Sequence, residues 1–313
     1  MQLGLTCHLC PRNCGADRSK APGYCGAPVD LEVSSVCIHR GEEPPLNPIV
    51  NLFFAHCNLQ CIYCQNRDIS RPTVNPLLIR HHSVDDVAHR ICQLLPQSAG
   101  LLGLVTPSHY AHLIPSLLQA VHARGFNPVV VYNTSGYESV PTLRALEGLV
   151  DIYLPDFKYA DPTLAQALSN APDYPDVASA AIREMIRQVG PGLKTDASGT
   201  AYRGIIVRHL LLPGHLQNTL LALDHIAQLF DDKSGFHHRA HVSLMAQYYP
   251  PFQALPSPLD RTVTPDEYAA AASHFQSLGF DGWLQQPESS SHYRPDFSQN
   301  DNPFDHCGVN EVN

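Results

Sequence analysis

From residue 49 onward, short apolar runs alternate with stretches of helical periodicity, and this alternation limits the available folds more than any other feature of the chain. The apolar runs fall at 49–55, 103–106, 128–132, 151–154, 204–212 and 241–246. Helix-like stretches follow them at 83–95, 111–124, 140–149, 174–189, 218–230 and 264–278. Runs rich in Val, Ile and Leu with little polar alternation suit strands buried on both faces. Parallel neighbours are joined only by long crossovers, so strands separated by helices build βαβ units on a parallel sheet. Six such units predict an α/β fold, an incomplete (β/α)6 barrel open on one side, short of the eight units that close fully. Residues 282–285 can add a terminal strand. The predicted division is a cysteine-rich segment at 1–48, the barrel at 49–286 and a polar, loosely ordered tail at 287–313.

Side chains at the carboxyl ends of parallel strands converge on one site. The first strand runs directly into Cys57-Asn-Leu-Gln-Cys61-Ile-Tyr-Cys64, a C-x3-C-x2-C spacing. Three thiolates hold three irons of a cubic [4Fe–4S] cluster, and a closed cluster takes four, so this spacing leaves one iron free to chelate a small molecule. A zinc knuckle or a disulfide-bonded loop is the alternative. Zinc prefers four ligands in paired knuckles, which three clustered cysteines fit poorly. Ahead of the barrel, Cys7, Cys10, Cys14 and Cys25 form a second set in a segment too poor in apolar residues to order itself without a metal. That set suits a structural zinc or an auxiliary [4Fe–4S] cluster, or stands as unliganded thiols.

Seven of the ten cysteines lie in these two clusters. In a chain of 313 residues without a charged and apolar leader, this pattern reads as metal binding in a reducing, cytoplasmic setting and not as a disulfide framework. Of the other three, Cys37, Cys92 and Cys307, the second sits among Val87, Ile91 and Leu94 and reads as a packing thiol. A formal charge of −9 without a basic run excludes nucleic acid as a natural partner. The absence of an apolar run near ~18 residues argues against a membrane span. Glu42 and Glu43 stand before a double proline, on a rigid loop where they face a substrate, a second metal, solvent or a salt-bridge partner.

The three-cysteine loop resembles the signature of the radical S-adenosylmethionine (SAM) enzymes. The wider run from Cys7 to Gln285 is similar to the X-type branch of proteins related to pyruvate formate-lyase activating enzymes. The matching motifs include Cys7-His-Leu-Cys10-Pro-Arg, His39-Arg-Gly-Glu-Glu-Pro-Pro, Phe53-Phe-Ala-His-Cys57, Tyr132-Asn-Thr-Ser-Gly-Tyr137 and Asp151-Ile-Tyr-Leu-Pro-Asp-Phe-Lys158. The resemblance implies a [4Fe–4S] cluster on Cys57, Cys61 and Cys64, whose free iron binds SAM and whose electron cleaves it for hydrogen-atom abstraction. It implies a one-electron donor such as flavodoxin or ferredoxin, and a protein or peptide substrate, a glycyl residue among the candidates. SAM carries a carboxylate, an ammonium, a ribose and an adenine. For these the strand ends offer Lys158 and Arg208 as cations, Asn133, Thr134, Ser135 and Asp156 as polar partners, Thr106 after the second strand, and Tyr63 as an apolar border for the adenine.

Three departures from the activases set this chain apart. Thr106-Pro-Ser-His stands where they carry a Gly-Gly-Glu-like turn, Gln247-Tyr248 where they carry a late histidine, and Asn133 where they carry an aspartate. The competing reading is a non-catalytic iron–sulfur or zinc scaffold that senses redox state or binds a partner.

Overall fold

The computed structural model describes residues 6–71, 76–80, 83–231, 240–252, 254–291, 294–298 and 302–304. Residues 6–32 form turns with no helix or strand. Their backbone is tied locally, Cys7 N donating to Ala16 O at 2.9 Å and Gly15 N to Cys7 O at 3.1 Å. Strand β1 (Val33–His39) then pairs antiparallel with β2 (Ile49–Phe54), placing Cys37 opposite Asn51.

The barrel continues through helices α1 (Arg67–Ser70) and α2 (Val84–Leu94), β3 (Leu101–Val105), α3 (Ile114–His122) and β4 (Val129–Thr134). Next come α4 (Val140–Ala145), β5 (Ile152–Pro155), α5 (Pro162–Ser169), α6 (Tyr174–Val189) and the short β6 (Lys194–Thr195). The series closes with β7 (Ala201–Ile205), β8 (Val207–Leu210), α7 (Leu216–Phe230), β9 (His241–Met245), α8 (Pro265–Ser277) and β10 (Asp281–Leu284). Helix starts follow their capping residues. Ser83 accepts from Asp86 N at the head of α2, and Thr264 with Glu267 forms a full capping box at the head of α8.

The strands β2 to β5 run parallel in sequence order, with β1 on the outer edge and β7 beyond β5. A second parallel set, β8, β9 and β10, continues the wall, joined to the first by a bridge between Asp156 and Arg208. The sequence predicts one strand over 204–212. The structure divides that path at Ile206: the ladder with β5 is interrupted there and resumes only as the bridge of Arg208 to Asp156, while β8 pairs with β9 along its other edge. Pro155 supplies the reason. Asp156 N donates to Thr134 O and Phe157 N to Arg208 O, so position 155 faces the β7–β8 side, where proline has no N–H to give.

Alternation along the strands sorts the side chains. Val50, Leu52, Leu102, Leu104, Val130 and Tyr132 face the helices in the main core. Ile49, Leu101, Val131, Ile152, Leu154 and Ile206 face inward and plug the barrel base. Two residues further along the inward-facing series stand Asn133, Asp156 and Arg208, so the interior changes from apolar to polar toward the strand ends. The tail, predicted to be loose, is anchored in part. Phe297 is buried with its ring 5.4 Å from that of Phe53, and Phe304 lies 4.3 Å from His39. Cys307 lies outside the described residues.

Candidate active site

A cavity of about 1410 Å³ occupies the polar end of the barrel. It is lined by Cys57, Cys61, Tyr63 and Cys64 from the loop after β2, Thr106 after β3, and Asn133, Thr134 and Ser135 at the end of β4. Asp156 and Lys158 after β5 and Arg208 in β8 complete the set named from the sequence. The interior also contributes Met245 and Gln247, from the strand end where the activases carry a late histidine, and Ser243 and Gln285, which no motif marked.

The cysteine loop is held in an unusual backbone shape. His56 and Gln60 have φ of 72° and 63°, and Thr106 across the cavity has φ of 57°, a conformation a β-branched residue adopts only under strong constraint. Each of the three sulfurs accepts a hydrogen bond: Cys57 from Leu59 N at 3.3 Å, Cys61 from Ser169 Oγ at 3.0 Å, and Cys64 from Ser70 Oγ at 3.5 Å. Burial pushes the Cys57 thiol up to about 12, with Cys64 and Cys61 adding to it, and burial likewise raises Cys64. Thiols this buried and this close ionise when a cationic centre takes the place of their protons. Among the described residues no three Cys, His, Asp or Glu side chains converge on one point. A cubic cluster does not require it, because each thiolate binds its own iron. The donor set therefore fits a [4Fe–4S] cluster with one open iron.

Around it the strand ends supply polar groups for a small ligand. Lys158 forms an ion pair with Asp156 inside the cavity. Burial alone would lower the lysine's pKa, but Asp156 and the thiols of Cys61 and Cys64 outweigh it and raise the pKa, so the ammonium stays charged. Ser135 Oγ is buried at the cavity wall and has no hydrogen-bond partner among the described residues, as a ligand-binding hydroxyl would. Tyr174 was not marked by any motif, yet it ties these ends together. Lys158 N donates to its hydroxyl at 2.9 Å, and that hydroxyl reaches Ser135 O at 2.7 Å and Asp156 O at 2.9 Å. Gly136 permits the approach, since a Cβ there would stand 2.1 Å from Asp156 O.

Two residues sit differently from a simple ligand contact. Tyr63 lines the cavity but is largely buried, its hydroxyl 2.7 Å from that of Tyr159. Arg208 lines the cavity, but its guanidinium is held by Glu42 and Glu43, with Nε donating to Glu43 at 2.8 Å. The two carboxylates before the double proline are thus salt-bridged at the cavity wall and not solvated. Asn51 donates to Glu42 at 2.8 Å and steadies the pair.

Behind Thr134 lies Glu138, 1% exposed, accepting from the hydroxyls of Ser108, Thr134 and Tyr132. Burial pushes its carboxyl up to about 7, against the lowering effect of those donors. Because the folded pKa exceeds the unfolded value of 4.5, Glu138 stabilises the fold fully below that value, and its contribution is lost as pH rises toward 7. Glu138→Gln is expected to remove this fall, which amounts to about 3 kcal/mol. Urea unfolding of both proteins at acid and at mildly alkaline pH measures it, and equal pH dependence in the two would contradict the assignment.

In the N-terminal segment Cys7 and Cys25 are buried, Cys10 is half-buried and Cys14 exposed. Burial pushes Cys10 up to about 12, with contributions from Cys25 and Cys7, and Cys25 is raised in turn by burial, Cys7 and Cys14. Gly23 in the turn before Cys25 lies close to Cys14, a Cβ there standing 2.7 Å from Cys14 Sγ. The half-buried Cys92 packs against the main core.

A radical SAM methyltransferase from Sphaerobacter thermophilus superposes on 82% of this chain and 69% of its own, with a TM-score of 0.52 at 12% identity. The chain has the radical SAM fold. A domain of a pyruvate-formate lyase-activating enzyme from Bacteroides vulgatus aligns with 56% of the chain and 92% of its own at a TM-score of 0.38 and 14% identity. In sequence, an uncharacterized protein of Methanocaldococcus jannaschii is 28% identical over 280 residues, spanning 88% of this chain and 75% of its own length. No protein-family model matches the chain. The cysteine loop lies after the first parallel strand of this radical SAM fold, with the cavity's polar residues on the strand ends that follow. Among the described residues, no helix is long and apolar enough to cross a membrane.

Proposed function

We propose that this protein is a radical SAM enzyme that binds a [4Fe–4S] cluster through Cys57, Cys61 and Cys64 and cleaves SAM reductively to abstract a hydrogen atom from a substrate. The observation that carries this reading is the convergence of those three sulfurs with polar groups from the later strand ends on one cavity. The chemistry a cluster and SAM supply there is one-electron cleavage of the sulfonium, giving 5′-deoxyadenosine once hydrogen has been taken from substrate. The chain's own residues bind and orient. Lys158, kept charged beside Asp156, pairs with the SAM carboxylate, while Ser135, Asn133 and Thr134 offer hydrogen bonds to its polar groups. Thr106 and Tyr63 border the ligand from the facing loops.

The substrate reading is activase-like: a glycyl or other residue of a protein or peptide. In its favour, the cavity exceeds the 300–1,000 Å³ usual for one small ligand, leaving room for a substrate beside SAM. A flavodoxin or ferredoxin serves as electron donor, the setting is cytoplasmic, and Cys7, Cys10, Cys14 and Cys25 hold a second cluster or a zinc ion. Anaerobically reconstituted protein given a strong one-electron reductant should convert SAM to 5′-deoxyadenosine. Deuterium arriving in that product from a labelled candidate would identify the substrate. Protein with a complete cluster that yields no 5′-deoxyadenosine would refute the enzymatic reading.

A further inference from the structure

The cysteine-rich segment reaches the cluster loop through several contacts, among them Gln60 Nε2 donating to Tyr24 O at 2.6 Å and the guanidinium of Arg12. Arg12, between Cys10 and Cys14, spreads its guanidinium across two elements. Its Nε donates to Asn58 O at 2.9 Å, and Nη2 donates to Leu59 O at 3.2 Å and to Ser169 O at 3.0 Å. Nη1 donates to Asn170 O as well. The guanidinium lies 4.0 Å from the ring of Tyr24 and 5.0 Å from that of Tyr137, so stacking fixes its plane.

Two of these carbonyls belong to residues that also touch the cluster sulfurs. Leu59 gives its N–H to Cys57 Sγ at 3.3 Å, and Ser169 gives its hydroxyl to Cys61 Sγ at 3.0 Å. Hydrogen bonds to cluster sulfurs tune and retain the cluster, and a displaced donor is felt at the metal. We infer that Arg12 is a positioning residue: by gripping Leu59 and Ser169 from behind, it aims the donors at Cys57 and Cys61 and locks the cysteine-rich segment onto the cluster loop. This rests on the reading of Cys57, Cys61 and Cys64 as cluster ligands.

The planar fork matters as much as the charge, because lysine offers a point charge that cannot span carbonyls on two elements. A second arginine of the same segment supplies the comparison. Arg18 donates to His109 O at 2.6 Å and to Ala27 O at 3.1 Å, anchoring the segment to the turn after β3 without touching the cysteine loop.

The test uses full-length protein reconstituted anaerobically, reduced, and challenged with an iron chelator. The reading is the decay of the electron paramagnetic resonance signal that changes when SAM is added. Arg12→Gln and Arg12→Lys should both speed that decay by about tenfold or more and alter the SAM-induced change. Arg18→Gln, compared at an equal margin below its own unfolding midpoint, should leave the decay near the wild-type rate. Equal decay in Arg12→Gln and wild type overturns the proposal, and so does Arg18→Gln decaying as fast as Arg12→Gln. A wild-type signal that never responds to SAM would instead refute the underlying reading of the three cysteines.

Discussion

Replacing Cys61 with alanine is expected to reduce SAM cleavage to background while leaving the protein folded. Cys61 is half-buried, and removing one sulfur from such a position costs roughly 1 kcal/mol of stability, a small part of the total for a domain of this size. Its chemical effect is much larger. Two thiolates cannot hold a [4Fe–4S] cluster, so iron at this site should fall from about four atoms to a small fraction of that. The open iron that receives SAM goes with it. Ser169→Ala separates the ligand from its donor, because it removes the hydroxyl 3.0 Å from Cys61 Sγ and keeps the sulfur. That variant should still assemble its cluster, with a shifted reduction potential and faster loss of iron to a chelator than wild type. Iron analysis and 5′-deoxyadenosine formation on the same samples decide the matter. A Cys61→Ala protein that keeps both would show that the cluster is held elsewhere, with the N-terminal cysteines the first place to look.

Most of the cavity residues that could be read from the sequence share one property: they lie at the end of a strand whose apolar run announces it. Cys57 follows 49–55, Asn133 follows 128–132, and Asp156 and Lys158 follow 151–154, so the parallel topology alone gathers them. What stayed hidden needed contacts over distances in sequence that leave no local pattern. Glu43 and Arg208 are 165 positions apart, and nothing near either one names the other. Tyr174 looks like an ordinary apolar residue at the start of α6, and Ser169 ends a helix, α5, that the surrounding prolines concealed. The break at Ile206 belongs to this class too. An apolar run of nine residues gives no sign that a proline on its neighbour will interrupt its ladder halfway. Phe297 and Phe304 show the same limit from the other side, two aromatic anchors lost in a polar tail.

The pairing of Arg208 with Glu42 and Glu43 gives the largest expected effect on stability. All three side chains are nearly enclosed, at 12%, 7% and 5% exposure. Burial alone would raise the Glu42 carboxyl, but Arg208, with His39 and Asn51 assisting, holds it down at about 2. Arg208→Met keeps much of the side chain's volume and removes the charge, leaving two neighbouring carboxylates buried without a counterion. Breaking a buried pair in this way costs about 3–5 kcal/mol, which in a chain of this length lowers the melting temperature on the order of 10 °C. The sign of the pH dependence provides the sharper check. In the wild type the depressed Glu42 stabilises the fold above its unfolded pKa of 4.5, and that contribution is lost as pH falls toward 2. In Arg208→Met the burial left uncompensated raises the carboxyl pKa above the unfolded value, so the defect should be greatest at neutral pH and shrink in mild acid. Adding Glu42→Gln and Glu43→Gln to Arg208→Met should restore most of the loss at neutral pH, since no buried charge then remains unpaired. Urea midpoints at neutral and at mildly acid pH for these variants measure both effects. A loss under about 1 kcal/mol that does not change with pH would mean that water reaches the glutamates at the cavity wall.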